Sequence, residues 1–119
     1  MKKVNKQEFM EKYEKYLEKS KDLCLYVKER DYKNFKRTCN EIKEFDNETC
    51  KMFGVSVKLD EDIQEIRLWN AIERELGCGV IKWIDYKFEK LSNWLSDIGW
   101  NDNLQILMMD YYTRFVKGL

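Results

Sequence analysis

The 119-residue chain contains no histidine and no proline, and it has only five glycines and four cysteines. Without histidine there is no imidazole to activate a serine or cysteine nucleophile, to bind zinc, to carry a phosphoryl group or to ligate haem. The few glycines form no phosphate-cradling loop, and no set of candidate ligands has the spacing of a metal site. We therefore expect no catalytic residue, no metal and no cofactor.

The cysteines and the apolar runs bear on the cellular compartment. Cys24, Cys39, Cys50 and Cys78 include no C-x-x-C pair and are too sparse for a disulfide framework, so they are predicted to be reduced thiols. The residues after the first lysines lack the apolar stretch of a signal peptide, and the longest apolar run, 106–109, is too short to span a bilayer. These features predict a cytoplasmic protein that does not associate with membranes.

Charge is balanced over the whole chain and slightly uneven along it. There are 22 Lys and Arg residues against 22 Asp and Glu residues, so the formal net charge is zero. Residues 1–60 carry a net charge of +3 and residues 61–119 carry −3. Proteins that bind the phosphate backbone usually have a basic excess, so this balance argues against nucleic acid as a direct ligand.

Apolar residues recur with helical spacing along the first half of the chain. Asn5, followed by Glu8 three residues later, is typical of a helix start, and the pattern that follows predicts helix 1 over residues 5–29. Asp31 is a good cap for a second helix, which continues until Gly54 offers a left-handed stop. Two long helices joined so tightly predict an antiparallel hairpin.

The second half of the chain continues the helical pattern. Together the two halves predict an all-α, single-domain bundle of about five helices over residues 1–119, with helices 3 to 5 closing the core on the hairpin. The predicted elements after Gly54 are an extended connector at 55–59, a third helix capped by Asp60, a break at Gly77-Cys78-Gly79, a fourth helix over 80–98, and a fifth helix from Asn101 or Asp102 to about residue 117.

Helix 5 carries more apolar surface than one packed face requires, since its apolar residues cover an arc of about 200°. One interpretation is that helix 5 lies centrally in the bundle and is contacted on two sides. The other is that it exposes a patch rich in Met and Tyr that binds another protein or a second copy of the chain. The predicted partner-binding residues on this helix are Met108, Met109, Tyr112 and Val116.

Helix 4 has a similar apolar excess. Ile84 and Phe88 belong to its predicted core line, whereas Trp83 and Trp94 lie together on a face to one side of that line. The two tryptophans either pack the rim of the core or form a binding hot spot. We predict that they extend the helix 5 patch into one partner-binding surface.

Asp46 interrupts the apolar stripe of helix 2, where an unpaired carboxylate is costly to bury. Two interpretations remain open. Helix 2 is interrupted near Asp46 and Asn47, both of which are good caps, or Asp46 is buried and hydrogen-bonded to Tyr13 or Tyr16 of helix 1.

Elimination favours a non-enzymatic module that binds another protein. A small cytosolic inhibitor or regulator that occludes its partner fits the size and composition, as do immunity proteins and phage-encoded anti-defence proteins such as anti-CRISPRs. The same surface used twice would give a two-fold homodimer. The alternative is a helical accessory subunit of a nucleic-acid complex that uses the Lys-rich hairpin.

Overall fold

The computed structural model describes residues 4–118, except for the side chain of Val116, and these residues contain five α-helices and no β-strand. The all-α prediction is therefore confirmed. The elements are α1 (Lys6–Glu29), α2 (Tyr32–Met52), α3 (Glu61–Leu76), α4 (Cys78–Asp97), α5 (Asp102–Tyr111) and a π-helical turn (Tyr112–Val116).

Helices α1 and α2 pack along their length as the predicted antiparallel hairpin. Residues that meet across the hairpin are nearly equidistant in sequence from the turn, as antiparallel packing requires. The stacked rings of Tyr16 and Phe45 place a tyrosine of helix 1 opposite the middle of α2, as predicted. The cross-helix pairs are Lys12 with Glu48 at 3.0 Å, Lys19 with Glu41 at 2.6 Å, and the rings of Tyr16 and Phe45 with centroids 4.9 Å apart.

The hairpin turn depends on an unusual backbone conformation at Arg30. Its φ of 59° lies in the left-handed region, where residues other than glycine are uncommon. This conformation lets the Asp31 N–H donate to the Tyr26 carbonyl at 2.9 Å, which closes the end of α1. The Asp31 carboxylate then accepts from the Asn34 N–H at 3.1 Å and caps α2. One residue thus ends the first helix and the next begins the second.

Most predicted helix ends are confirmed. Of the two predicted caps for α5, it is Asn101 that accepts from the Leu104 N–H at 3.0 Å. Two predictions need correction. Asp60 occupies the N-cap position of α3 but makes no capping hydrogen bond with its side chain. The predicted break at Gly77-Cys78-Gly79 is too long, because α4 already begins at Cys78 and Gly77 alone, with φ of 85°, separates α3 from α4.

The fifth helix changes type near its end. It is α-helical only to Tyr111, and the following residues form a π-helical turn in which the Lys117 N–H donates to the Tyr112 carbonyl at 3.0 Å. A π-turn advances fewer degrees per residue than an α-helix. The predicted fifth helix therefore extends to about residue 117, but the spacing of 100° per residue used to assign its faces does not apply beyond Tyr111.

The buried apolar residues form two separate clusters on the hairpin. The first core cluster joins the early part of α1 and the end of α2 to α3 and α4, and comprises Phe9, Tyr13, Leu17, Phe53, Ala71, Ile72, Val80 and Ile84. The second core cluster joins the rest of the hairpin to α5, and comprises Val27, Phe35, Cys39, Leu104 and Tyr111.

Two clusters side by side give an elongated molecule. Its extents are 44 × 31 × 20 Å and its radius of gyration is 15.3 Å, against about 13.5 Å for a compact domain of this length. Both clusters use α1 and α2, so the hairpin connects them, and the single-domain prediction stays a prediction. Within residues 4–118, no helix has both the length and the apolar character needed to cross a membrane.

Candidate functional site

An open cleft, here called the central groove, lies over the middle of the hairpin and borders both core clusters. Its volume is ≈ 1340 Å³, above the range of about 300–1,000 Å³ typical of small-molecule pockets. Side chains from all five helices and from the connector at 55–59 contribute to its lining. The lining is mainly apolar and includes Tyr16, Ile42, Leu68, Trp69, Met108 and Met109.

The central groove follows α2. Its lining residues on that helix extend from Phe35 to Cys50, which corresponds to about 22 Å at 1.5 Å per residue. Within this stretch Phe35, Cys39, Ile42 and Thr49 keep the spacing of one helix face. The apolar stripe of α2 is therefore used partly for the cores and partly to line a groove about four helical turns long.

Asp46 lies in this groove, on a helix that continues without interruption from Tyr32 to Met52. Its side chain is exposed to solvent, and among the described residues it makes no hydrogen bond to a tyrosine. Both sequence-based interpretations of Asp46 are therefore wrong. The groove explains the anomaly, because an apolar stripe that is left uncovered can hold a carboxylate that solvent still reaches from the open side.

The groove shifts the acidity of Asp46. Partial burial of the carboxylate, and then the negative charge of Glu65 on α3, raise the pKa of Asp46 to about 6. Among residues 4–118, no lysine or arginine forms an ion pair with either carboxylate. The groove therefore contains two neighbouring acidic groups without a cationic partner.

The other ionisable side chains near the groove are poorly suited to nucleophilic chemistry. Burial raises the pKa of Tyr13 and of Tyr16, and the Asp46 charge adds to both shifts. Burial also raises the pKa of the Cys39 thiol to about 11 and raises the pKa of Cys50. A thiol must ionise to act as a nucleophile, so these environments oppose reactivity.

Three of the predicted partner-binding residues on helix 5 lie in the central groove. Met108 is half-buried, whereas Met109 is 62% exposed and Tyr112 is 39% exposed. The Lys117 ammonium lies 5.3 Å from the centroid of the Tyr112 ring. The side chain of Val116, the fourth predicted residue, lies outside the described part of the structure.

Trp83 and Trp94 lie elsewhere, where α4 packs against α1. The Trp83 ring meets Tyr13 edge to face at 5.8 Å, and the Lys21 ammonium lies 5.5 Å from the Trp94 ring centroid. Both tryptophans are half-buried, and neither lines the central groove. The structure thus places Trp83 at the rim of the first core cluster and Trp94 beside Lys21 of α1, and it joins neither of them to the helix 5 patch.

Several groove residues were missed by the sequence analysis. Phe88 was assigned to the core line of α4, but it is 42% exposed and lines the groove. Leu68 and Trp69 of α3 line it too, while Ile66 of the predicted α3 stripe is 62% exposed. A helical pattern identifies an apolar face but does not show whether another element covers it. The sequence feature that could have indicated the groove was Asp46, because it is a charged residue within the apolar stripe of helix 2.

No set of three His, Cys, Asp or Glu side chains within residues 4–118 is arranged to hold a metal ion. The site is therefore described by its shape, its apolar lining and its three carboxylates, Asp46, Glu61 and Glu65. Comparison with family models, with curated proteins and with solved structures found no match for this chain.

Proposed function

We propose that the chain is a non-enzymatic module that binds another protein through the central groove. The observation that carries this proposal is the groove itself, which is larger than a small-molecule pocket, open to solvent and lined mainly by apolar side chains from every helix. An apolar groove that is open to solvent is a common form of binding site for a segment of another protein.

The residues at the edge of the groove support a protein ligand. Met109 and Phe88 are exposed to 62% and 42%, although both are large apolar side chains. Methionine adapts its shape to a partner surface, and aromatic side chains and methionine are enriched in interfaces. Covering these groups would remove them from water and supply part of the binding free energy.

The nucleic-acid alternative has less support. Lys12 and Lys19 of the hairpin already pair with Glu48 and Glu41, and Lys87 pairs with Glu14 at 2.9 Å. Lysines that are neutralised in this way release fewer counterions from a phosphate backbone. The groove also contains unpaired carboxylates, which repel phosphate.

The inhibitor, the homodimer and the cytoplasmic location belong to the same proposal. All four cysteines are free thiols, three of them buried, which fits a reducing compartment. A small module that fills its groove with part of another protein would occlude that part and so inhibit or regulate it, as immunity and anti-defence proteins do. A second copy of the chain bound through α5, in place of a different protein, would give a two-fold homodimer, which is the competing form of this proposal.

Affinity capture tests the proposal with two variants of α5. Met109→Glu places a charge in the groove, whereas Ile106→Glu places the same charge at a site that is 65% exposed on the same helix and outside the groove lining. A partner captured from the source organism by the wild type should be retained by Ile106→Glu and lost with Met109→Glu. Equal capture by all three proteins would overturn the proposal.

A further inference from the structure

The central groove has the dimensions of an α-helix. It follows α2 for about 22 Å, which is the length of about 15 helical residues. Residues of α1, α3, the connector and α5 line it together with α2, and they include members of both core clusters. A helix of this length laid along α2 would contact residues of both clusters.

The charges in the groove indicate which charged residue a bound helix should carry. Asp46 on α2 and Glu65 on α3 lie close enough for the Glu65 charge to act on Asp46, and neither has an ion-pair partner among the described residues. A third carboxylate, Glu61 of α3, and two lysines, Lys43 and Lys117, also line the groove. Lys43 is one helical turn from Asp46, and Lys117 lies beside Tyr112. A cation positioned between the two carboxylates would be attracted by both.

A second copy of the chain suits this groove poorly. Two of its three most exposed apolar side chains, Ile66 and Ile106, each follow an acidic residue by one helical turn, at Asp62 and Asp102. Either helix would therefore bring another carboxylate towards Asp46 and Glu65. A helix of another protein with a basic residue in its apolar stripe avoids this repulsion.

We propose that the central groove receives an amphipathic α-helix of another protein, whose apolar stripe carries one Lys or Arg that pairs with Asp46 and Glu65. This proposal rests on the protein-binding function proposed above and adds the class of partner. Binding follows the helix-in-groove mode, in which apolar residues at i, i+3, i+4 and i+7 provide affinity. The basic residue provides specificity and sets the position of the helix in the groove.

The proposal predicts a pH dependence of binding. The charged and titratable groups that face Asp46 are Tyr13 and Tyr16 from α1, Glu65 from α3, and Lys43 and Cys50 from its own helix. The pKa of Asp46 is raised to about 6. Protonation between pH 7.5 and pH 5, a range centred near this pKa, would remove one of the two charges that attract the basic residue. Binding of a cationic helix should therefore weaken as the pH falls, and Asp46→Asn should reduce this dependence.

A displayed peptide library tests the proposal with the full-length protein. The probe is a set of helical peptides of about 18 residues with a fixed apolar stripe and one fully randomised position in the middle of that stripe. Wild-type protein should enrich Lys and Arg at the randomised position. The single variants Asp46→Asn and Glu65→Gln should weaken this preference, and the double variant should select apolar residues instead. Circular dichroism confirms that each variant is folded.

Fluorescence anisotropy then measures the best cationic peptide against its Lys→Glu form. The wild type should prefer the cationic peptide by roughly two- to fivefold, the effect expected for a partly exposed ion pair, and the double variant should lose most of this preference. A different result is that the selected peptides show no preference for Lys or Arg and still lose binding with Met109→Glu but not with Ile106→Glu. That result would overturn the basic residue in the partner helix and leave binding in the groove standing. Three results would overturn the helix-in-groove interaction with another protein. They are a library that yields no binding peptide, peptides whose binding is unaffected by Met109→Glu, and a homodimer held through the groove.

Discussion

Replacing Asp46 with Asn should stabilise the protein at neutral pH and have no effect in acid. The pKa of this carboxyl is raised from 3.8 to about 6 because the groove partly buries it and Glu65 repels it. The folded protein therefore holds the proton more tightly than the unfolded chain does. The contribution of Asp46 to stability is fully present below pH 3.8 and is lost as the pH rises through about 6. Asparagine is neutral throughout, so it avoids that loss.

The magnitude follows from the pKa and from solvent access. Taken at face value, a rise from 3.8 to about 6 corresponds to about 3 kcal/mol. Asp46 is exposed on the open side of the groove, and solvent screening reduces the effect on the free energy of unfolding to about 1 kcal/mol or less. For a chain of this length, about 1 kcal/mol corresponds to a rise in Tm of roughly 3–5 °C.

Urea denaturation followed by tryptophan fluorescence, at about pH 7.5, 6 and 4, measures the difference. Asp46→Asn should be the more stable protein at the highest pH, and the two curves should converge at the lowest. Glu44→Gln, on the same helix and outside the groove lining, controls for the loss of one negative charge. A loss of stability in Asp46→Asn at neutral pH would refute the reasoning, because it would mean that the carboxylate has a stabilising partner.

Three further predictions concern the fold. Arg30→Gly should raise the free energy of unfolding by roughly 0.5–1 kcal/mol, because glycine adopts the left-handed turn without strain. Arg30→Ala is the control, because alanine keeps the strain. An equal gain in stability with Arg30→Ala would contradict the explanation. Phe35→Ala, at a fully buried position, should cost about 3–5 kcal/mol in thermal or urea unfolding. If the hairpin couples the two clusters, hydrogen exchange should show that this variant loses protection in α3 and α4 as well as in α5, whereas a loss confined to α5 would contradict the single-domain prediction. Far-ultraviolet circular dichroism should be unchanged by a chelator or a reductant, and a loss of helicity with either would indicate a metal or a disulfide that stabilises the fold.

Local signals were sufficient to predict the helices and the hairpin. Asn5, Asp31 and Gly54 mark helix ends through hydrogen bonds and backbone preferences that involve only neighbouring residues. The tight connection at Arg30 then requires antiparallel packing, which determines which residues of α1 meet those of α2. Such features depend on short stretches of chain and can be predicted from them.

The groove could not be predicted in the same way, because it depends on how distant helices are placed. The apolar stripes of α3 and α4 indicate faces that avoid water, yet Ile66 of α3 is exposed and Phe88 of α4 borders an open cleft. Trp83 and Met109 both lie on helices with surplus apolar surface, but one packs at the core rim and the other lines the groove. Only the packing of α3, α4 and α5 on the hairpin distinguishes them.

Site-specific photocross-linking tests the central claim most directly. A photoreactive phenylalanine analogue is placed at Met109, which lines the groove, or at Ile106, which is similarly exposed on the same helix but lies outside the lining. Irradiation of the source cells should cross-link position 109 to a second, different polypeptide and leave position 106 without that product. Equal products at the two positions, or no product at position 109, would contradict the claim that the central groove binds another protein.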